Sequence, residues 1–287
     1  MIKAVIRGGL GNQLFQYASA YALAKRINQT LALDISFFPK QTLRGYKLEQ
    51  FQIEEHDVCD HGDGLLEKIY KNKYFNGIVR RSGITQLPIR NGIYFIDPAG
   101  GYAERFFSIQ APNVLLNGYF QSEEYFEEYR SDLCRQLVPK YEADRETNEI
   151  LQEIQTSNAV AVHVRHGDFE KDYSKYHYIL DETYYMNALS EMRVKVENPS
   201  YFCFSDDIEW VKEHFSELTS ARFVSLHTTH PDIDELMLMK HCKHIITANS
   251  TFSWWAAWLN ENKDATIIVP NKAYGNSHMI PKTWMKI

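Results

Sequence analysis

The 287-residue sequence has no CxxC pair, no long run of one charge sign, no apolar stretch near the length of a membrane span and no internal repeat. Each absence removes a class of protein. The four cysteines, Cys59, Cys134, Cys203 and Cys242, are scattered, which argues against a disulfide framework or a zinc knuckle and for reduced, buried thiols. The formal net charge is -6, from 31 basic and 37 acidic residues, and gives no field suited to a nucleic-acid backbone. Nucleic acid is therefore not an expected partner, and any bound anion must be held locally. A membrane helix needs about 20 apolar residues, and no segment approaches that. The opening MIKAVIRGGLGNQ has too short an apolar run for a signal peptide. The expectation is a cytoplasmic chain without integral membrane contact, with peripheral association at the inner face of a membrane left open.

The GxGxxG dinucleotide fingerprint is missing as well. Gly8, Gly9 and Gly11 have the wrong spacing, and Asn12-Gln13 stands where the last glycine would be, which argues against a nicotinamide enzyme.

The residues that are present describe an ordinary soluble globular chain, 44% hydrophobic and long enough for two compact cores. Residues 2–6 read as a short buried strand, 7–11 as a flexible turn, 12–28 as a helix with Phe15, Ala18, Ala22 and Ile27 on one face, and 31–34 as a second strand. From 35 to 112 the pattern is weak, with one candidate helix at 65–71, and reads as irregular elaboration around a first domain. Residues 114–117 form a strand candidate, and Ser122 is placed to cap a helix carrying Phe126, Tyr129, Leu133 and Leu137. A polar hinge at 139–145 separates domains at 1–140 and 141–287.

Beyond the hinge the alternation is regular. Helices are expected at 146–155, 182–195, 208–215, 232–241 and 252–261, with strands at 159–164, 201–205, 223–226, 245–248 and 266–269. Strands separated by helices imply a parallel sheet covered on both faces. The fold class is therefore α/β, with two Rossmann-like domains facing a central cleft at the carboxyl ends of the strands.

Four constellations carry chemistry. The loop from Gly8 to Gln13 lets a ligand approach the backbone where a helix N-terminus exposes unpaired amides, although a tight strand-to-helix turn explains it equally well. HVRHGD at 163–168 ends an apolar strand. Arg165 there offers a planar fork for two phosphate oxygens, with an ion pair to Asp168 as the structural alternative. His163 and His166 lack a third ligand for a metal, so hydrogen bonding of His163 to a base or ribose is preferred. His241 and His244 read as packing or helix-dipole partners. In FSDD at 204–207, Asp206 can accept from both N–H groups of a guanine edge, whereas Asp207 suits a helix N-cap. Residues 248–258 place Asn249, Ser250 and Thr251 at a strand-to-helix turn able to cradle a phosphate, with Trp254 and Trp258 as core.

GGLGNQLFQYA, NGYFQSEEYF, HVRHGD, FSDD and ANSTFSWWAAWL, in that order over most of the chain, resemble the bacterial α-1,2-fucosyltransferases of glycosyltransferase family 11. The resemblance implies a GT-B-like pair of domains, an acceptor-side N-terminal domain and a C-terminal domain that binds GDP-fucose. It also implies inverting transfer of L-fucose from GDP-β-L-fucose to the 2-hydroxyl of a galactose residue, with no metal and no other cofactor. The implied partners are GDP-fucose and a galactose-terminated oligosaccharide or lipid-linked glycan.

By motif, Arg165 would hold the β-phosphate, His163 and Asp206 the guanosine, and Ser250, Thr251 and Phe252 the pyrophosphate and fucose. Gly9 and Gly11 would admit the donor to the loop backbone, and Asn12 would approach the fucose or acceptor. Asp168 is the candidate general base, with Glu170 and Asp172 close in sequence and a base-free dissociative route as the alternative. One departure stands out. His166 occupies the place where the family usually has a second arginine, which puts a titratable ring in the donor loop.

Overall fold

The computed structural model describes residues 1–40, 45–54, 56–59, 72–98, 101–166, 180–215, 221–271 and 277–287. The chain divides into two compact units. The first comprises Met1–Lys140 and Asn276–Met279, and the second Tyr141–Gly275 and Ile280–Ile287. The candidate helix at 65–71 lies outside the described residues.

Unit 1 is built on six strands, β1 (Ile2–Val5), β2 (Leu31–Asp34), β3 (Asp57–Cys59), β4 (Gln86–Ile89), β5 (Gly92–Ile96) and β6 (Val114–Asn117). Their spatial order is β3-β2-β1-β6-β5-β4. All neighbours are parallel except β4 and β5, which form an antiparallel pair. The chain fills the sheet outward from β1 in one direction and then completes the other side. The direction reverses between β1 and β6, and the carboxyl ends of those two strands flank a topological switch point.

Helix α1 (Leu10–Arg26) follows β1. A single apolar face was expected for it, yet it is buried on nearly all sides, including Gln13, Gln16 and Ser19. Its small residues Ala18, Ala20, Ala22 and Ala24 suit the close approach of neighbours from every side. Helix α2 (Lys73–Arg81) is capped by Asn72, whose side chain accepts from the backbone N–H groups of Tyr74 (2.9 Å) and Phe75 (3.3 Å). Val79 of α2 packs with Val5, Tyr94, Ile96 and Leu115 on the β1-β6-β5 face.

The reading of 35–112 as irregular elaboration is therefore incomplete, since that span supplies three strands and a helix. Ser122 does cap a helix, accepting from Glu124 N–H at 3.3 Å, but the helix is a short 3-10 turn (Glu123–Tyr125). The expected α-helix begins only with α3 (Arg130–Gln136).

Unit 2 is more regular. It contains α4 (Arg145–Gln155), β7 (Ala159–Val164), α5 (Glu182–Lys195), β8 (Ser200–Ser205), α6 (Ile208–His214) and β9 (Arg222–Val224). The chain continues through α7 (Pro231–His241), β10 (His244–Ile246), α8 (Thr251–Trp258), β11 (Ile267–Val269) and β12 (Met285–Lys286). The strand order is β12-β11-β10-β7-β8-β9, parallel throughout. From β7 the strands run outward through β8 and β9, and the chain then returns to lay β10, β11 and β12 on the other side. The switch point therefore lies between β7 and β10, which is where open α/β sheets bind their ligands.

Every residue of β7 is buried, as a central parallel strand covered on both faces must be. Trp254, Trp255 and Trp258 are core, at 0%, 0% and 2% exposure, and the rings of Trp254 and Trp258 stack at 6.2 Å.

Candidate active site

Three adjacent parallel strands of unit 2, β8, β7 and β10, end side by side. His163 is in register with Phe204, Val164 with Ser205, and Val162 with Ile246. Strands in a sheet lie about 4.8 Å apart, so the FSDD, HVRH and ANSTF segments emerge next to one another at one sheet edge.

His163 is the last-but-one residue of β7 and only 3% exposed. Burial first, and then the charge of Arg165, push its pKa down to about 3, against an opposite pull from Asp206. The imidazole is therefore neutral at working pH. Its ring lies 5.6 Å from that of Phe252, and its Nδ1 is buried with no hydrogen-bond partner. A buried, unmet ring nitrogen at a switch point is suited to a ligand hydrogen bond.

Arg165 directs Nε to Asp206 Oδ2 at 3.4 Å, and the other oxygen of Asp206 accepts from His166 N–H at 2.9 Å. The carboxylate thus ties the end of β7 to the end of β8 and fixes the stem of the guanidinium. Among the described residues Arg165 is thus paired with Asp206. Asp168, Glu170 and Asp172 lie outside the described residues.

Asp207 is the N-cap of α6, accepting from Trp210 N–H at 3.2 Å, and it also meets His166 Nδ1 at 3.1 Å. The His166 ring stacks on Trp210 at 4.1 Å, and Trp210 stacks in turn on His214 at 4.2 Å. The ring that departs from the resemblance is thus held in an aromatic stack.

The turn after β10 leads into α8, with Ser250 as N-cap accepting from Phe252 N–H at 3.3 Å. Ser253 Oγ accepts from Ala248 N–H at 3.2 Å and holds the turn from behind. Ser250, Thr251 and Phe252 are partly exposed, whereas the residues after them are buried. The first amides of α8 carry the partial positive charge of a helix start and can face an anion.

One group escaped the sequence reading. Glu235 lies on α7 beside Asp232 and Asp234, and it also senses Asp206. Burial and those three carboxylates raise its pKa to about 8, so it is a neutral acid at pH 7. Three acids within one helical turn were the available signal, but the contribution from Asp206 is nonlocal. Asp234 is buried and accepts from Tyr141 OH (2.8 Å) and Thr228 Oγ1 (2.5 Å).

In unit 1 the loop after β1 turns through Gly8 at φ +83°, a conformation that disfavours side chains. Gly9 is the partly exposed N-cap of α1, and Gly11 is buried in its first turn. Asn12 is partly exposed, and its Oδ1 accepts from Gln121 Nε2 at 2.9 Å. Gln13 donates to the carbonyls of Gly8 and Gly45, each at 2.9 Å, and accepts from Lys47 N–H at 2.9 Å. This buried amide is a staple of the loop.

Among the described residues no group of three or more His, Cys, Asp or Glu side chains could hold a metal ion. His241 Nδ1 meets the Met237 carbonyl at 2.7 Å and His244 Nδ1 accepts from Thr266 N–H at 3.0 Å, so both rings are engaged with backbone groups. No described helix is long and apolar enough to cross a membrane.

The profile of glycosyl transferase family 11 matches residues 97–285, about two thirds of the chain. The chain belongs to glycosyl transferase family 11. Among curated proteins it is 29% identical to an α-1,2-colitosyltransferase of Escherichia coli, over 100% of this chain and 99% of that protein. It is 24% identical to galactoside 2-α-L-fucosyltransferase Sec1 of Mus musculus, over 95% of this chain and 67% of that protein.

Among solved structures it resembles the fucosyltransferase NodZ from Bradyrhizobium with a TM-score of 0.56 and 15% identity, covering 89% of this chain and 91% of that one. A second NodZ structure, the α-1,6-fucosyltransferase soaked with GDP-fucose, matches with a TM-score of 0.53 and 15% identity over 90% and 91%. At such identity the likeness speaks for the fold alone, an α/β architecture of the GT-B-like class with two parallel-rich sheets. The protein is a glycosyltransferase of family 11.

Proposed function

We propose that the protein transfers L-fucose from GDP-β-L-fucose to the 2-hydroxyl of a galactose residue, with inversion to an α-1,2 linkage and without a metal ion. The observation that carries this reading is the convergence of Arg165, Asp206, His163 and the start of α8 at the switch point of the unit 2 sheet. That edge offers a cation, helix amides and a neutral imidazole, a set that suits a nucleoside diphosphate.

In the reaction the acceptor O2 forms a bond to the anomeric carbon while the bond from that carbon to the β-phosphate oxygen breaks. The hydroxyl proton leaves to a base, and negative charge gathers on the departing GDP. Arg165 and the N-terminal dipole of α8 around Thr251 answer that charge, and interactions that strengthen in the transition state accelerate the step. Asp206 positions Arg165 and retains acceptor capacity for a guanine edge. His163, held neutral, hydrogen-bonds the nucleoside. Gly9, Gly11 and Asn12 form the acceptor-side loop of unit 1, and Asp168 takes the proton.

The test is incubation of the purified protein with GDP-fucose and lactose, followed by linkage analysis of the product. A 2-O-fucosylated galactose is expected, formed equally well in the presence of a chelator. A product linked elsewhere, or activity lost to the chelator and restored by Mg²⁺, refutes the corresponding part.

The α-1,2-colitosyltransferase match supports a second reading, in which the transferred sugar is colitose, the 3-deoxy counterpart of fucose. A site that hydrogen-bonds the 3-hydroxyl rejects the deoxy sugar by roughly 10⁴-fold, whereas an apolar site rejects the added hydroxyl by only about 10²-fold. Competition between the two GDP-sugars therefore separates the readings by sign and by size.

A further inference from the structure

The other switch point, in unit 1, holds a second group of charges that the proposed donor chemistry does not use. Arg7 follows the carboxyl end of β1, with its backbone N–H donating to Gln16 Oε1 at 2.9 Å and its guanidinium over the Tyr119 ring at 5.1 Å. Tyr119 lies in the turn after β6, the strand beside β1. Asp97 follows β5, the next strand, and is 6% exposed. One of its oxygens, Oδ2, accepts from Tyr119 N–H (3.1 Å) and Phe120 N–H (3.0 Å). Its Oδ1 is buried without a hydrogen-bond partner. Arg80, near the end of α2, completes the group.

Arg7 Nε and Arg80 Nε are likewise buried without a partner. The two guanidiniums act on each other and on Asp97 electrostatically, and burial together with Arg80 pulls the Arg7 pKa down. Burial conversely raises that of Asp97. Two partly buried guanidiniums against one buried carboxylate leave an excess of positive charge, which a bound anion would offset.

The turn is also built to fixed dimensions. Phe120 has φ +52°, and a Cβ on Gly118 would lie 2.0 Å from Asp97 Cβ, so backbone and carboxylate are in close contact. Asp97 therefore holds the turn that carries Tyr119, and Tyr119 supports Arg7.

We propose that Arg7 and Arg80 form an oxyanion subsite at the switch point of the unit 1 sheet, taking a phosphate or carboxylate group of a substrate. A guanidinium offers its donors as a planar fork matched to either group. The anion has two possible sources, an acidic group on the acceptor glycan or the diphosphate of the donor. The acceptor arm rests on the proposed galactoside acceptor, whereas binding of phosphate itself does not.

The experiment compares the wild type with the Arg7→Gln/Arg80→Gln double variant. The first measurement is the rise in melting temperature caused by inorganic phosphate at constant ionic strength, which needs no turnover and so stands even if the proposed transfer fails. The expected result is a rise at least halved in the variant. The second set comprises KM for lactose, KM for a galactosyl-glucuronic acid disaccharide, and Kd for GDP. A tenfold or larger loss confined to the acidic disaccharide assigns the subsite to the acceptor, and one confined to GDP assigns it to the donor.

An unchanged phosphate response, or equal losses for lactose and the acidic disaccharide with GDP binding intact, overturns the subsite. If the double variant does not fold, Arg165→Ala decides instead. A phosphate-specific rise that persists without the unit 2 cation supports a second oxyanion site, and its disappearance overturns it.

Discussion

His163 makes the stability of unit 2 depend on pH in a direction that can be calculated. The unfolded chain protonates a histidine near pH 6.5, whereas the folded protein keeps this ring neutral down to about 3. Below pH 6.5 the unfolded state therefore binds a proton that the native state excludes, and stability falls as pH falls toward 3. Linkage over that interval removes about 2 kcal/mol between pH 7.5 and pH 5, and about 1.4 kcal/mol for each further pH unit. Replacing the ring with a neutral amide, His163→Gln, removes that slope whatever it does to the absolute stability.

Urea unfolding followed by tryptophan fluorescence reads this out. All five tryptophans, Trp210, Trp254, Trp255, Trp258 and Trp284, belong to unit 2, so the signal reports that unit. The expected outcome is a difference between variant and wild type that grows by about 2 kcal/mol in the variant's favour from pH 7.5 to pH 5. A difference constant across that range would show that the ring titrates in the folded state and would refute the argument.

The remaining predictions concern single residues. Glu235→Gln should act oppositely to His163→Gln, because a carboxyl held at about 8 in the fold and near 4.5 when unfolded costs stability as pH rises between those values. The substitution should stabilise unit 2 by a few kcal/mol at pH 8 and have little effect at pH 4.5, measured by the same unfolding curves. Arg165→Ala should lower kcat/KM for GDP-sugar by about 10²- to 10³-fold while the melting temperature stays close to wild type, and near-normal turnover would contradict the phosphate role. Gly118→Ala should destabilise unit 1 by about 1–3 kcal/mol, since its Cβ would collide with Asp97, and circular dichroism melts should show the loss.

The parts of the molecule that were legible in the sequence share a physical cause. β7 is an unbroken apolar run because both of its faces are covered, and its end is marked by an abrupt change to His, Arg and Asp. The helices of unit 2 are separated from the strands by residues such as Asp144, Asp181 and Asp207, each of which caps the helix that follows. Little of this applies to 35–112. β3 is three residues long and largely exposed, so it has no apolar pattern to read. β4 includes Pro88, which is tolerated only because the strand is at the sheet edge, a fact that pairing alone discloses.

At the site, Arg165 and the Ser250 turn could be read from local sequence. The Arg165–Asp206 pair, the perturbed Glu235 and the Arg7–Asp97–Arg80 group depend on elements far apart in the chain. Sequence spacing can nominate such residues but cannot match them.

The short return of the chain at Asn276–Met279 bears on how the protein can be dissected. There the Ser122 hydroxyl donates to the His278 carbonyl at 2.9 Å, and the His278 ring stacks on Tyr102 at 4.7 Å, so a segment late in the chain packs against the early unit. No single cut releases the first unit whole. A fragment ending at the hinge would deprive Tyr102 and Ser122 of their partner at His278, and a stop codon placed before that return would damage the half of the molecule made ahead of it.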